Sequence, residues 1–322
     1  MRILFMGTPT LAAEVLRALY EKDGVTVAGV VTRPDKPKGR GMKLIPSPVK
    51  EFALEKEIPV YQPKTLRDGS FQPVLEELDP ELIVVAAYGN ILPPYVLEYP
   101  KYGCVNAHGS LLPKYRGAAP IERAIMDGER ETGITAMFMD EGLDTGDMIA
   151  AYPCPIEDTD DGGTLTEKLA SLAGRAMCGV VDAIRNGTLT RTPQPAEGST
   201  YAAKIGREDQ RVDFTKPARV VFNQIRALNP APSAETTMPD GSTLKLTESV
   251  PCEDANPDHA LPGTVLETVG KGNGRILIAC GEGAVAVTGV IPMGKKKMSA
   301  GDFVRGRRIA PGDVLGREPG GE

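Results

Sequence analysis

The chain has 322 residues, carries a formal net charge of −6 and is 41% hydrophobic and 25% charged, with 36 glycines and only two histidines. That length predicts two domains, and the apolar and charged fractions are ordinary for a soluble globular protein with a sizeable core, excluding a membrane protein built on helices. The longest apolar runs, such as LIVVAAY (82–88), are far shorter than the ~20 residues needed to span a bilayer.

The N-terminus, MRILFMGTP, reads as a first strand and lacks the long apolar core and cleavage site of a signal peptide. TLAAEVLRALYEK then repeats apolar residues at helical spacing. VTVAGVVT is strand-like, SPVKEFALEKE helical and PELIVVAAYG a buried strand. This alternation predicts right-handed βαβ units, a Rossmann-like α/β domain with a mostly parallel sheet, and ligand binding at the carboxyl ends of its strands. YGCVNAH reads as a further strand that brings His108 out, exposed among small residues, at that rim. ETGITAMFMDEGLDTGDMIAAYPCPI reads as two strands joined by a turn at 141–147, and TLTEKLASLAGRAMCGVVDAIRNG as a helix closed by Gly187. From about residue 190 the chain turns polar and rich in Pro and Gly, as a linker would. A short helix over KPARVVFNQIRAL and the strands STLKLTES, GTVLETV, GRILIAC and GAVAVTGVI follow, predicting a small β-barrel or sandwich, with a smaller OB-like β-barrel as the expected form. The expected division is 1–190, a linker over 191–207, and 208–316.

The five cysteines, at 104, 154, 178, 252 and 280, are odd in number and scattered. They argue against a disulfide framework and for a reducing compartment, the cytoplasm. No ligand cluster implies a metal. The acidic total hides two basic islands. Six cations in 33–50 face only Asp35, leaving +5, and eight in 271–311 face Glu282 and Asp302, leaving +6. Local islands on an acidic protein suit a polyanion bound at particular places, although runs of this kind also occur as solvated surface.

The chemistry-bearing segment is NAHGSLLPKYRGAAP (106–120). On an extended backbone Asn106, His108 and Ser110 share a face, setting an amide donor, an imidazole and a hydroxyl together. An amide N–H can stabilise an oxyanion, and an imidazole can move a proton near neutral pH. Asp144, in the turn of EGLDTG, is the best candidate to orient the ring and would favour its charged form. From spacing alone, a loop histidine with a structural role stays as open as a catalytic one. The D-T-G at 144–146 is too short to indicate an aspartic protease in an α/β pattern. MGTPT lacks the second and third glycines of a dinucleotide loop, so Gly7 is read as serving a tight turn.

NAHGSLLPKYRGAAPIERAI followed by ETGITAMFMDEGLDTGDMI resembles the bipartite signature of the folate-dependent formyltransferases. The resemblance implies Asn106, His108 and Asp144 as the catalytic trio and 10-formyltetrahydrofolate as co-substrate. It implies a folate pocket formed by Ser110, Leu111, Leu112 and Pro113, with Tyr88, Asn90, Ile91 and Leu92 of AYGNILP as another wall. TRPDKPKGRGMKLIPSPVKEFA, YAAKIGREDQRVDF, IRALNP and GKKKMSAGDFVRGRRIAPGDVLG are similar to the segments of the family branch that formylates methionine on initiator tRNA for translation initiation. That branch implies a monomer that contacts tRNA through Lys38, Arg40 and Lys43 in the first island and Lys295, Lys296, Lys297 and Arg305 in the second. The first turn reads GTPTLA where the family more often has GTPDFA, and Ala231 stands where an aromatic is frequent. Formylation of a sugar or nucleotide amine, or formyl-folate hydrolysis, would use the same trio but has no need of the second domain. A tRNA-binding module without catalysis has no need of the trio.

Overall fold

The computed structural model describes residues 1–38, 43–256, 259–271, 274–306 and 308–317. They form two compact units. One comprises Met1–Pro120, Glu131–Pro155 and Thr166–Ala203; the other comprises Ile121–Arg130, Ile156–Leu165 and Lys204–Glu322.

In chain order the elements are β1 (Arg2–Gly7), α1 (Thr10–Tyr20), β2 (Thr26–Val31), β3 (Lys36–Lys38), β4 (Lys43–Ile45), α2 (Pro48–Glu55), β5 (Val60–Tyr61), α3 (Gln72–Leu78), β6 (Leu82–Ala86) and α4 (Pro94–Leu97). Next come β7 (Cys104–His108), β8 (Arg116–Gly117), α5 (Pro120–Met126), β9 (Glu131–Phe138), β10 (Met148–Pro155), α6 (Gly162–Arg185) and β11 (Tyr201–Ala202). The main sheet has the order β10-β9-β7-β6-β1-β2-β5. Strands β5, β2, β1, β6 and β7 run parallel, whereas β9 is antiparallel to both β7 and β10. Because helices cover both faces of a parallel sheet, its central strands are apolar throughout. All five residues of β6 are buried, as are five of the six in β1. Each fully buried Leu or Ile there contributes about 1.5–3 kcal/mol.

Local chemistry sets the ends of these elements. Ser47 caps α2 by accepting the Lys50 N–H at 3.1 Å, with Pro48 in the first turn. A Cβ on Gly7 would lie 2.6 Å from the Ala12 Cβ and 2.7 Å from the Ala86 carbonyl oxygen. Close packing of β1 against α1 and β6 therefore requires the glycine, in keeping with the tight-turn reading. The basic segment after β2 is a β3–β4 hairpin whose base is pinned. Lys50 donates to Asp35 at 2.6 Å and to Gln62 at 2.8 Å, and Gln62 donates to Asp35 and to the Arg33 carbonyl, each at 2.8 Å. The Lys50 ammonium and then the Gln62 amide hold the Asp35 carboxyl below its usual range. One cation of this island is thus already neutralised.

The second unit adds α7 (Ala218–Ala227), β12 (Ala234–Thr237), β13 (Thr243–Cys252), β14 (Val265–Val269), β15 (Arg275–Ala279), β16 (Ala284–Pro292), β17 (Met298–Ser299) and α8 (Ala300–Arg305). Its antiparallel path is β12-β13-β16-β15-β14, with β17 also on β16. Irregularities near Glu248 bend the long β13–β16 pair, as bulges do. Val221 and Ile225 of α7 and Phe303 of α8 close one core with Leu246, Ile278 and Val287. None of the five cysteines forms a disulfide. Among the described residues no helix is long and apolar enough to cross a membrane.

Candidate active site

Strand β7 ends at His108, and β6 ends at Ala86 beside it, so the loops after both strands leave the same edge of the sheet. Asn106 and His108 lie two residues apart on β7 and so share a face. The Asn106 carboxamide is half-buried and makes no hydrogen bond among the described residues. It stays available as a donor.

His108 is only 5% exposed. This corrects the expectation of an exposed rim histidine: the small neighbours Ala107 and Gly109 let the following loop fold back over the ring. The imidazole Nε2 lies 2.8 Å from the Tyr115 carbonyl oxygen. A carbonyl only accepts, so Nε2 carries the proton and Nδ1 is left facing the Asp144 carboxylate. Nδ1 and Asp144 Oδ2 are 3.6 Å apart, in ion-pair range but too long for a direct hydrogen bond. Oδ2 also accepts the Gly117 backbone N–H at 2.9 Å, while Oδ1 has no partner among the described residues. The Asp144 side chain keeps 13% exposure.

The loops that carry these groups are tied by residues distant in sequence. Ser110 is fully buried; its hydroxyl donates to the Lys114 carbonyl at 2.7 Å and its own carbonyl accepts from Thr135. The shared face therefore ends at His108, where β7 ends, and the Ser110 hydroxyl braces the loop instead of facing a ligand. Thr135 also accepts the Leu112 N–H at 3.1 Å, and Thr200 accepts the Tyr115 N–H at 2.8 Å. Gln194 donates to the carbonyls of Asp144 and Gly146 at 2.8 and 2.9 Å and accepts two bonds from Arg116 at 3.1 and 2.6 Å. Tyr115 and Asp144 both take left-handed backbone conformations, which such bracing stabilises.

Of the other residues expected around the folate, Leu111 and Pro113 are half-buried, Leu112 is buried, and Asn90 and Ile91 are exposed. Tyr88 and Leu92 belong to the apolar core beneath the loop, and burial pushes the Tyr88 phenol up. They form its floor, not its surface. Of the expected tRNA contacts, Arg40 lies outside the described residues, and Lys38 and Lys43 stand opposite one another in the β3–β4 pair. Lys295, Lys296 and Lys297 are exposed on the turn between β16 and β17. Lys297 is paired with Glu248 at 2.6 Å, and Arg305 is paired with Asp302 and also donates to the Gly270 carbonyl. Lys295 and Lys296 have no carboxylate partner among the described residues.

Sequence reading passed over Gln194 and Thr200, which lie in the apparent linker, and Arg116, Gly117 and Thr135. No local pattern marks the first two. Gln194→Ala removes two bonds to the Asp144 loop and leaves Arg116 without its acceptor. We expect a loss of about 1–2 kcal/mol in stability, read by urea unfolding, and a kcat lowered roughly 10- to 100-fold as Asp144 loosens.

The sequence matches two family models, "Formyl transferase" over residues 1–181 and "Formyl transferase, C-terminal domain" over 204–308. Curated relatives include the methionyl-tRNA formyltransferases of Pelotomaculum thermopropionicum, 46% identical with 98% of this chain and 99% of that protein covered, and of Bacillus subtilis, 46% identical with 98% of each covered. Among solved structures, the fold is similar to an N-formyltransferase from Helicobacter canadensis in complex with folinic acid and dTDP-3-aminofucose. That likeness has a TM-score of 0.64 at 19% identity and covers 92% of this chain and 100% of that one. HypX from Aquifex aeolicus in complex with tetrahydrofolic acid gives 0.63 at 20% identity, covering 94% of this chain and 47% of that one. With both units matched along nearly their whole length, the chain belongs to the methionyl-tRNA formyltransferase family.

Proposed function

We propose that this protein transfers the formyl group of 10-formyltetrahydrofolate to the α-amine of methionine esterified to initiator tRNA, as a monomer in the cytoplasm, for translation initiation. The first unit carries the chemistry and the second contributes to holding the tRNA. The observation that supports this reading best is the juxtaposition of a free Asn106 amide, a His108 ring with its tautomer set by Tyr115, and an Asp144 carboxylate with one open oxygen.

The co-substrate supplies a formyl carbon on nitrogen, and the half-buried Leu111 and Pro113 with exposed Ile91 offer apolar surface to its rings. Asn106 donates to the formyl oxygen as the amine adds and charge collects there. Losing one such donor typically costs about 2.7–4 kcal/mol in the barrier. Asp144 Oδ1 accepts the proton that the amine sheds. His108 Nδ1, held toward Asp144, relays a proton to the departing folate nitrogen. One N–C bond forms and one breaks, and the proton lost by the amine balances the one gained by the leaving nitrogen. General acid–base assistance of this kind is worth about 10²–10⁴-fold.

The test mixes the protein with 10-formyltetrahydrofolate and methionyl initiator tRNA and follows formyl-methionine by mass spectrometry, with Asn106→Ala as control. We expect formylation by the unaltered protein and a kcat lowered about 100- to 1,000-fold in the control. Folate consumption with no formyl-methionine would move the acceptor to another amine or to water.

Lys295 and Lys296, which have no carboxylate partner among the described residues, are assigned to tRNA phosphates. Replacing both with alanine is expected to lower the slope of log affinity against log salt by roughly 1 per lost contact, measured by filter binding. Lys297 and Arg305, already holding carboxylates, are expected to change it less.

A further inference from the structure

A cavity of about 260 Å³ is lined by Arg116, Leu143, Thr145, Ser199, Thr200 and Tyr201. Leu143 and Thr145 flank Asp144 in sequence. Arg116 braces the Asp144 loop through Gln194, and Thr200 holds Tyr115, whose carbonyl sets the His108 tautomer. The cavity is therefore built on the same loops as the catalytic pair, although the reaction described above uses none of its walls.

Two of those walls are apolar and open to solvent. Leu143 is 46% exposed and Tyr201 is 66% exposed. The Tyr201 backbone is pinned, since β11 pairs with β8 with Tyr201 opposite Arg116, yet its phenol makes no hydrogen bond among the described residues. The chain thus presents a positioned aromatic face that nothing in the first unit covers. The other walls bring three hydroxyls and a guanidinium: the Thr200 hydroxyl accepts from Tyr115, the Thr145 hydroxyl donates to Asp140 at 2.8 Å and keeps its acceptor side, and Arg116 donates to Gln194.

Size separates the candidate occupants. Sites that enclose a drug-sized ligand have volumes of roughly 300–1,000 Å³. This cavity is smaller, so it suits one terminal group and not a pteridine with its p-aminobenzoyl-glutamate tail. We propose that it receives the terminal nucleoside of the acceptor RNA, with the base stacked on Tyr201 against Leu143 and the ribose facing the hydroxyls of Thr145 and Ser199. Aromatic side chains bind single-stranded bases in this way because every base has a π face. The aminoacyl ester sits on that terminal ribose, so a nucleoside seated here carries its amine to the residues around Asp144 Oδ1. The inference rests on the function proposed above and extends it to a subsite.

The test is steady-state kinetics of Tyr201→Ala, Tyr201→Phe and the unaltered protein, each with both substrates varied. Loss of one stacked base corresponds to about a 5- to 150-fold rise in KM for methionyl-tRNA. We expect that rise in Tyr201→Ala, an unchanged KM for 10-formyltetrahydrofolate, and recovery in Tyr201→Phe. An amide-linked methionyl-adenosine and its counterpart lacking the base serve as competitive inhibitors. The unaltered protein is expected to favour the first, and Tyr201→Ala to bind the two equally. A rise in the folate KM, or an unchanged tRNA KM, overturns the subsite while leaving the function intact. Failure of the unaltered protein to formylate methionyl-tRNA overturns the function and the inference together.

Discussion

Replacing Asp144 with asparagine is expected to lower kcat for formyl transfer about 10²–10⁴-fold while KM for the folate changes little. The substitution is nearly isosteric. The Asn carbonyl oxygen can still accept the Gly117 N–H, so the loop keeps its anchor. What disappears is the charge opposite His108 Nδ1 and the basicity of the open oxygen that receives the amine proton. His108→Ala should cost a similar factor. The double variant should lose little more than either single one, because the two groups act as a unit. Stopped-flow measurement of a single turnover separates the chemical step from tRNA release. If the two losses instead multiplied, the groups would be acting independently and the relay would be wrong.

The largest expected effect on stability lies elsewhere. Arg226, on α7 within the IRALNP segment, is 8% exposed. Its guanidinium donates to the carbonyls of Glu157 and Asp160 at 2.7 and 3.0 Å and to Asn223 at 3.0 Å, and its charge is disfavoured by burial. Three residues further on, Asn229 donates to Asp161 at 2.5 Å. Together these bonds fasten the segment after β10 into the second unit. Arg226→Met keeps much of the volume but removes three charge-assisted hydrogen bonds from a poorly hydrated place. We expect a loss of about 3–5 kcal/mol, seen as a lower urea midpoint, because hydrogen bonds donated by a charged group contribute about 1.5–3 kcal/mol each and do not add fully. Arg226→Lys should recover only part of this, since an ammonium lacks the planar fork that spans carbonyls on two sides.

Much of the fold was legible because its signals are local. Period-2 and period-3.6 apolar patterns marked β1, α1, β2, α2, β6, β7, β9, β10, α6 and α7 and four strands of the second unit. Elements too short to show a period, such as β3, β4, β8, β11 and α4, left no such trace. The pair Asn106 and His108 was legible because alternation along one strand places i and i+2 together. Asp144 was a candidate to orient the ring from its turn and gained its catalytic role from the family's bipartite signature, but no spacing rule fixes its pairing with His108, 36 residues away.

By itself, then, the sequence determined the α/β alternation, the antiparallel strands that follow it and the placing of Asn106 and His108 on one face of a strand, all of which depend on residues within a few positions of one another. Only the tertiary structure decided that His108 is buried and that Ser110 braces a loop. It also decided that Gln194 and Thr200 support the site from 50 and 85 residues away, and that α7 claims the chain around Glu157 for the second unit. The same holds for charge: among the described residues, pairing occupies Lys297 and Arg305 and gives Lys295 and Lys296 no carboxylate. Hydrogen bonds and ion pairs between residues far apart in the chain carry no periodicity, and which groups meet is set by how the sheet and its loops pack.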